Sequence, residues 1–223
     1  MVACRVSAWL VKYQMLARVI SVLAFFFGSW SFVSLLYHYV LLFAALRRPR
    51  RLAAPSLSQH FVIAIPAHNE EAVIGETLHR LAELDYPPDR CTIYVIADYC
   101  DDRTAEQAAA FGAQVLIRNA GPRGRKAYAL QWFCEQVFGP PAPYDALVVI
   151  DADSRLDISF LKAMSAALDA GMQVVQGQHI IVQSDGSDYA LLAGVDMYLN
   201  NLLRNRAKDN LGLSAMRCAL RPP

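Results

Sequence analysis

Charged side chains are missing from residues 19–46, which contain no Asp, Glu, Lys or Arg and only one histidine, His38. At about 1.5 Å of rise per residue, a helix of this length exceeds the ~30 Å hydrocarbon core of a bilayer and can cross it with a tilt. A secretory signal peptide has a shorter apolar core, of roughly 7 to 15 residues. A domain of this size cannot cover every face of a buried helix. We therefore predict a transmembrane helix over residues 19–46.

A large excess of charge of either sign is also missing, because 21 Lys and Arg residues stand against 20 Asp and Glu residues. Nucleic-acid-binding domains carry a basic surface, so we predict no nucleic-acid partner. Four arginines cluster directly after the apolar run, at positions 47, 48, 50 and 51. Such clusters contact membrane lipid and favour the cytoplasmic end of a span. Arg5, Lys12 and Arg18 flank the other end, so charge only weakly favours a single-pass chain with its domain on the cytoplasmic face.

Closely spaced cysteine pairs are a further absence. The five cysteines are odd in number and form no CxxC pair: Cys4, Cys91, Cys100, Cys134 and Cys218. This spacing suits neither a disulfide framework nor a zinc site. It favours reduced thiols in a cytosolic compartment.

The remaining chain is predicted to divide at changes of composition. Residues 1–18 carry apolar side chains at helical spacing and form an amphipathic leader, either an interfacial helix or an ordinary one. Residues 47–60 form a basic juxtamembrane linker. Residues 61–215 form the folded domain, and residues 216–223 form an irregular tail.

Strand and helix patterns alternate from residue 61 onwards. Strands are predicted at residues 61–65, 91–97, 113–117, 146–150 and within 172–183, and helices at 70–84, 102–112, 126–138, 157–170 and 187–215. Pro66 is expected to end the first strand, and Asn69 and Asp157 to cap helices. Strands joined by helices require right-handed crossovers and a mostly parallel sheet. The predicted fold class is α/β.

Polar clusters follow three of these strands. They occupy residues 66–70, residues 98–102, and the pair Asp151 and Asp153. Ligands bind outside the carboxyl ends of strands in an open parallel sheet, so we expect the clusters to meet at one edge. Two carboxylates at alternate positions of an extended segment need a cation, hydrogen-bond donors or water. Mg²⁺ or Mn²⁺ holding phosphate groups meets that need.

Four segments, in this order and spacing, carry a resemblance to a known family: VIAIPAHNEE, YVIADYCDDRTAE, GRKAYAL and LVVIDADS. They resemble the nucleotide-sugar half of a family 2 glycosyltransferase with the GT-A fold, over roughly residues 60–182. The resemblance implies a Rossmann-like, mostly parallel sheet with flanking helices. It also implies transfer of a sugar from a nucleotide diphosphate sugar, with Mg²⁺ or Mn²⁺, to a lipid-linked or polysaccharide acceptor.

The resemblance implies roles for single residues on the donor side. The loop that cradles the nucleoside corresponds to Pro66, Ala67, Asn69 and Glu70, and Asp98 lies in the segment that contacts the base. Ala97 stands where the family more often has another acidic residue.

It implies roles near the diphosphate as well. Asp153 is expected to ligate the metal, and Asp151 to face the ribose or a metal-bound water. A metal there neutralises the charge that develops on the leaving diphosphate. Lys126, with Arg123 and Arg125, either contacts the diphosphate or belongs to an ordinary solvated basic loop.

Simpler interpretations stay open for several of these residues. Asp98, Asp101 and Asp102 also suit turn and helix-cap positions, and His68 suits a polar loop.

A phosphohydrolase of the haloacid dehalogenase type also places Asp-x-Asp after a strand. In that family, however, the pair follows the first strand, whereas here it follows the fourth.

Residues after Asp153 supply no recognisable general base, so no catalytic residue is assigned for the acceptor side. The final residues MRCALRPP carry no helix or strand pattern and resemble a truncated or frame-shifted end. The sequence therefore predicts a membrane-anchored glycosyltransferase or its donor-binding fragment. The alternative is an inactive pseudoenzyme that binds nucleotide diphosphate or acts as a scaffold.

Overall fold

The structure is a computed structural model that describes residues 2–47, 52–139, 144–177, 188–212 and 217–218. Its chain divides into two compact units, Met1–Arg50 with Gln178–Cys218 and Arg51–Gly177 with Ala219–Pro223.

Helices and strands alternate along most of the chain. The helices are α1 Val2–Ala45, α2 Ile74–Ala82, α3 Thr104–Ala110, α4 Lys126–Val137, α5 Phe160–Asp169, α6 Asp188–Leu199 and α7 Arg206–Asn210. The strands are β1 Phe61–Ala67, β2 Cys91–Asp98, β3 Gln114–Arg118, β4 Ala146–Val149, β5 Val175–Gln176 and β6 Arg217–Cys218. A 3₁₀ turn covers Pro88–Arg90, and a π-helical segment, Asn200–Asn205, joins α6 to α7.

Helix α1 joins the predicted leader and the predicted span in one uninterrupted element. No proline occurs before Pro49, so nothing in the sequence breaks the helix earlier. The stretch Tyr13–Ala45 is long and apolar enough, by length and composition, to cross a membrane. Most of its large apolar side chains are exposed, among them Phe27 and Trp30. Most of the predicted arginine cluster lies outside the described residues.

Side chains of α7 complete the C-terminal end of α1, where the last carbonyl groups of a helix lack partners. Asn210 Nδ2 donates to the carbonyl oxygen of Ala44 at 2.8 Å, and Arg206 Nη2 donates to that of Arg47 at 3.0 Å. The helix predicted over residues 187–215 ends at Asn210, because Gly212 adopts a left-handed conformation with φ 68° that closes it. Residues 213–216 lie outside the described part of the chain.

The second unit contains a parallel sheet in the order β3-β2-β1-β4. Phe61 pairs with both Cys91 and Ala146, and Tyr94 pairs with Gln114, so all three ladders run parallel. The predicted α/β class and mostly parallel sheet are confirmed.

Both faces of the sheet are covered, which explains why residues 61–65 of β1 are apolar without interruption. One face packs Ile63 and Ile65 against side chains that include Ile74 of α2 and Leu161 of α5. The opposite face packs Val62 and Ala64 against Phe133 of α4.

The first strand continues through Pro66 to Ala67, so the prediction that Pro66 ends it was wrong. The carbonyl oxygen of Ala64 accepts a hydrogen bond from Ile150 N, so the backbone N–H and C=O of Ala64 point towards β4. The backbone groups of Pro66, two residues later, point to the same side. Pairing with β4 ends at Ala64, so the missing N–H of Pro66 removes no ladder hydrogen bond.

Helix starts also differ from the predictions. Helix α2 begins at Ile74, and Asn69 is not its cap, because Asn69 has φ 56° and Glu70 O accepts the N–H groups of Val73 and Ile74 in a preceding turn. Asp157 is not the cap of α5, because Ser159 occupies the cap position. The carboxylate of Asp157 accepts the N–H of Ser159 at 3.0 Å.

Two predicted irregular segments contain more structure than expected. Residues 52–60 form no helix or strand but contact α5, since Ser56 N donates to Asp169 Oδ2 at 2.7 Å. The predicted irregular tail contains the two-residue strand β6, Arg217–Cys218. A two-residue strand needs only backbone hydrogen bonds and leaves no side-chain periodicity in the sequence.

Candidate active site

A cavity of about 840 Å³ opens at the carboxyl ends of β1, β2 and β3 and at the start of α4. Its walls combine acidic, basic and aromatic residues: Pro66, Ala67, His68, Glu70, Asp98, Tyr99, Cys100, Asp101, Asn119, Arg123, Gly124, Arg125 and Lys126. Two of the three polar clusters that were predicted to meet at this edge, residues 66–70 and 98–102, contribute to the walls, whereas Asp151 and Asp153 do not.

Hydrogen bonds join the loop after β1 to the segment after β2. Asn69 is exposed and does not line the cavity; its side-chain oxygen accepts the backbone N–H of Asp101 at 2.8 Å. His68 Nδ1 lies 2.7 Å from the carbonyl oxygen of Asp98. A left-handed backbone at Asn69, with φ 56°, directs the chain into this arrangement. The two loops therefore form one surface.

A buried network supports that surface from below. Thr104 is fully buried; its hydroxyl donates to Asp102 Oδ1 at 2.6 Å and accepts the N–H of Glu70 at 2.9 Å. Desolvation raises the pKa of Asp102, but hydrogen bonds from Thr104 and from the Glu71 N–H outweigh it and leave this pKa below its ordinary value. Asp102 stands one residue before the cap position of α3, which Arg103 occupies, and its carboxylate accepts the N–H of Thr104 at 3.0 Å.

Asp98 is paired with Arg118, a residue that the sequence-based reasoning missed. Arg118 Nη1 lies 2.5 Å from Asp98 Oδ1, and Arg118 is only 3% exposed. The one signal for it in the sequence is an arginine at the end of an otherwise apolar strand, Gln114–Arg118. Asp98 therefore presents a carboxylate whose charge is largely compensated.

Tyr99 connects this ion pair to the basic side of the cavity. Its backbone has φ 54°, an unusual value for a bulky residue, and its N–H donates to the carbonyl oxygen of Arg118 at 2.9 Å. The guanidinium of Arg123 lies 4.0 Å from the centre of its ring. The Tyr99 hydroxyl donates to the carbonyl oxygen of Gly121 at 2.7 Å.

Positive charge is concentrated on one wall of the cavity. Residues 119–125, here called the basic loop, carry Arg123 and Arg125, and Lys126 follows as the first residue of the 12-residue helix α4. All three cations are exposed. Cations beside a helix N-terminus favour a phosphate group, because the helix dipole and free N–H groups act in the same direction.

The Asp151–Asp153 segment follows β4 as predicted. Ala152 is buried, and its carbonyl oxygen accepts the Thr77 hydroxyl at 2.5 Å, so the two flanking carboxylates are held on the exposed side. Asp151 accepts a hydrogen bond from Lys126 Nζ. Asp153 has no hydrogen bond or ion pair with any other residue that the structure describes.

The predicted donor-binding residues are thus only partly brought together. Pro66, Ala67, Glu70, Asp98 and Lys126 line the cavity, whereas Asn69 does not line it but hydrogen-bonds the backbone of Asp101, which does. Asp151 and Asp153 do not line it. Asp151 is connected to the cavity through Lys126, and Asp153 stands apart in solvent.

The donor set after β4 fits a hard divalent cation. No group of three or more His, Cys, Asp or Glu side chains that is suited to a metal occurs among the described residues. Mg²⁺ needs only one or two protein carboxylates when phosphate oxygens and water complete its shell. Two exposed carboxylates meet that requirement, and Asp153 forms no ion pair with any cation in the described part of the chain.

Residues 62–220 match the family model described as Glycosyl transferase family 2. The chain is 34% identical over 105 residues to a beta-monoglucosyldiacylglycerol synthase from Synechocystis sp., covering 45% of this chain and 21% of that protein. It is 35% identical over 100 residues to the probable glycosyltransferase YdaM from Bacillus subtilis, covering 41% of this chain and 22% of that protein. The chain therefore spans about a fifth of the length of the curated relatives it matches.

Solved structures share the fold at lower identity. A mannosyltransferase from Pyrobaculum calidifontis in complex with GDP-Man and Mn²⁺ matches with a TM-score of 0.55 and 23% identity, over 77% of this chain and 46% of that one. Glucosyl-3-phosphoglycerate synthase from Mycobacterium tuberculosis, in complex with uridine diphosphate, matches with a TM-score of 0.50 and 21% identity, over 77% of this chain and 75% of that one. The predicted GT-A fold is confirmed.

Proposed function

The chain belongs to glycosyl transferase family 2, and from this premise we propose that its cavity binds the nucleoside diphosphate part of a nucleotide sugar. The observation that carries the proposal is the division of charge between the segments that line the cavity. Glu70, Asp98 and Asp101 lie at or after the carboxyl ends of β1 and β2, and Arg123, Arg125 and Lys126 belong to the basic loop and the start of α4. Carboxylates suit the hydroxyl and N–H donors of a nucleoside, and cations beside a helix N-terminus suit its diphosphate.

We assign the donor-binding roles by this division. Pro66, Ala67, Asn69 and Glu70 form or support the nucleoside side, together with Asp98. Lys126 belongs to the diphosphate side. Its hydrogen bond to Asp151 links the diphosphate side to the segment that carries the two aspartates.

Asp153 and Asp151 are proposed to hold Mg²⁺ or Mn²⁺. The metal would neutralise charge on the departing nucleotide diphosphate. Support comes from the exposed carboxylates and from the solved mannosyltransferase of the same fold, which contains Mn²⁺ with GDP-Man. The residues of this chain bind and orient the donor, and Lys126 compensates negative charge at the same place.

The acceptor is proposed to be a lipid-linked molecule or a growing polysaccharide at a membrane surface. Helix α1 is long and apolar enough, by length and composition, to cross a membrane. We propose that it anchors the chain as a single pass, with the remaining domain on the cytoplasmic face. Two curated relatives are named beta-monoglucosyldiacylglycerol synthases, whose product is a lipid.

Titration calorimetry on the full chain in lipid nanodiscs tests donor binding. Uridine or guanosine diphosphate should bind more tightly with Mn²⁺ than with a chelator. Asp153→Ala should remove most of the difference, because it deletes the proposed ligand, and Asp151→Asn should weaken binding less, because an amide still hydrogen-bonds. Asp89→Ala, an exposed carboxylate on the 3₁₀ turn, is the control.

Two outcomes separate the alternatives. No metal-dependent binding of either nucleotide by the folded chain would contradict the proposal. Binding without transfer from any nucleotide sugar would favour the nucleotide-diphosphate-binding pseudoenzyme instead.

A further inference from the structure

Arg118 is buried at the end of β3 although it carries a full charge. Its guanidinium contacts Asp98 through Nη1 and donates through Nη2 to the carbonyl oxygen of Pro122 at 2.7 Å. Its Nε is buried and has no hydrogen-bond partner within the described residues. Apolar residues of similar volume often stabilise a fold as well as a buried ion pair does, so stability alone does not account for this arrangement.

The contacts of Arg118 lead to the basic loop. Pro122 belongs to that loop, and Gly121 beside it accepts the Tyr99 hydroxyl. Arg123 stacks on the ring of Tyr99. The backbone N–H of Tyr99 in turn donates to the carbonyl oxygen of Arg118. The loop is exposed and contains no helix or strand, so side-chain hydrogen bonds to its carbonyl groups replace the pairing that a strand would supply.

We propose that Arg118 is a positioning residue that fixes the basic loop and thereby presents Arg123, Arg125 and Lys126 to the cavity. It acts through the Pro122 carbonyl and, with Asp98 and Tyr99, ties the loop to the carboxyl ends of β2 and β3. The benefit of this arrangement for diphosphate binding rests on the proposed function. The anchoring itself is independent of any ligand.

Gly121 gives independent support. Its φ is 93°, and a Cβ built there would lie 3.2 Å from Arg118 Nη2, closer than an ordinary contact. Gly124, in the same loop, has φ 86° but open space around the equivalent position. Both positions impose a left-handed backbone, and only Gly121 must also leave room for the guanidinium.

Limited trypsin digestion of the full chain in nanodiscs tests the anchoring, with cleavage sites located by mass spectrometry. Arg118→Lys keeps a cation beside Asp98, but a single ammonium group cannot donate to both Asp98 and the Pro122 carbonyl as the two guanidinium nitrogens do. Cleavage after Arg123 and Arg125 should become about tenfold faster, because a charge-assisted hydrogen bond to the loop is lost. Arg155→Lys, which alters an exposed pair with Glu76, is the control and should leave the rate unchanged.

The glycines give a second comparison. Gly121→Ala should accelerate cleavage of the loop more than Gly124→Ala does. Both substitutions strain a left-handed backbone, but only the alanine at position 121 would also press its Cβ against the Arg118 guanidinium. Equal cleavage in these two variants, or an unchanged rate in Arg118→Lys, would overturn the proposal.

Binding of uridine or guanosine diphosphate completes the test. Arg118→Lys should weaken it about tenfold, whereas Arg155→Lys should not. Faster cleavage with unchanged affinity would overturn the link between the loop and the donor. If Arg118→Lys is cleaved faster but the unsubstituted chain binds neither nucleotide, the proposed function is contradicted and the anchoring is still supported.

Discussion

The ammonium group of Lys126 donates a hydrogen bond to the carboxylate of Asp151, which joins the first residue of α4 to the segment after β4. The two residues are 25 positions apart in the sequence. Both side chains are partly exposed, so the pair contributes little to stability. Its importance lies in position, because one partner lines the cavity and the other belongs to the proposed metal site.

Lys126→Met should weaken binding of uridine or guanosine diphosphate about tenfold, since it removes the cation that is proposed to hydrogen-bond a phosphate. Calorimetry on the full chain measures this effect. Lys162→Met removes a similar pair, Lys162 with Asp85 at 2.5 Å, which does not line the cavity, and it should leave affinity unchanged. Equal losses in both variants would show that Lys126 has no specific role at the donor site.

Thr104→Val should lower the free energy of unfolding by about 1–3 kcal/mol, because it removes the buried hydroxyl that accepts the N–H of Glu70. The two side chains have nearly the same shape, so lost packing contributes little. Thermal unfolding followed by tryptophan fluorescence measures the change. Thr104→Ser keeps the hydroxyl and should recover most of the loss; a serine variant as unstable as the valine variant would indicate packing rather than hydrogen bonding.

The parallel sheet was predictable because its signal is local. Residues 61–65 form an uninterrupted apolar run, which is typical of a strand covered on both faces, and helical periodicity between such runs requires parallel crossovers. Asp151 and Asp153 were predicted at the end of β4 for the same reason.

The walls of the cavity were less predictable, because they depend on contacts between distant residues. Tyr99 adopts a left-handed conformation that no local rule expects of a tyrosine. Arg118 appears in the sequence only as a charge at a strand end, and its contact with Pro122 depends on the path of the basic loop. Asn69 was expected to cap a helix but instead binds the backbone of Asp101, 32 residues away.

The orientation of the chain in the membrane can be tested at Ala54, which is exposed in the coil between α1 and β1. In intact cells, Ala54→Cys should resist a membrane-impermeant maleimide, because the proposed topology places this coil on the cytoplasmic face. Permeabilised cells should label it, with the unsubstituted chain as the background for the native cysteines. Labelling from outside intact cells would reverse the orientation.

The thiol of Cys100 provides a probe inside the cavity. It is half-buried, and its Sγ donates to the carbonyl oxygen of Ala67 at 3.4 Å. Burial raises the pKa of this thiol, and interactions with the Asn69 backbone and the Thr104 side chain lower it by less. Only the thiolate reacts with iodoacetamide, so a raised pKa means less thiolate at pH 7.5 than in free cysteine, whose pKa is about 8.5.

Alkylation of Cys100 should therefore be slower than that of free cysteine at pH 7.5 and should keep accelerating above pH 8.5, where free cysteine approaches its plateau. Uridine or guanosine diphosphate with Mn²⁺ should slow it further, because the ligand covers the cavity that exposes the thiol. Site-resolved mass spectrometry measures both effects in the full chain. Cys134, half-buried on α4 and not part of the cavity wall, is the internal control, since burial raises its pKa too. Equal protection of Cys100 and Cys134 would indicate a general tightening of the fold, and no protection of Cys100 would place the nucleotide elsewhere.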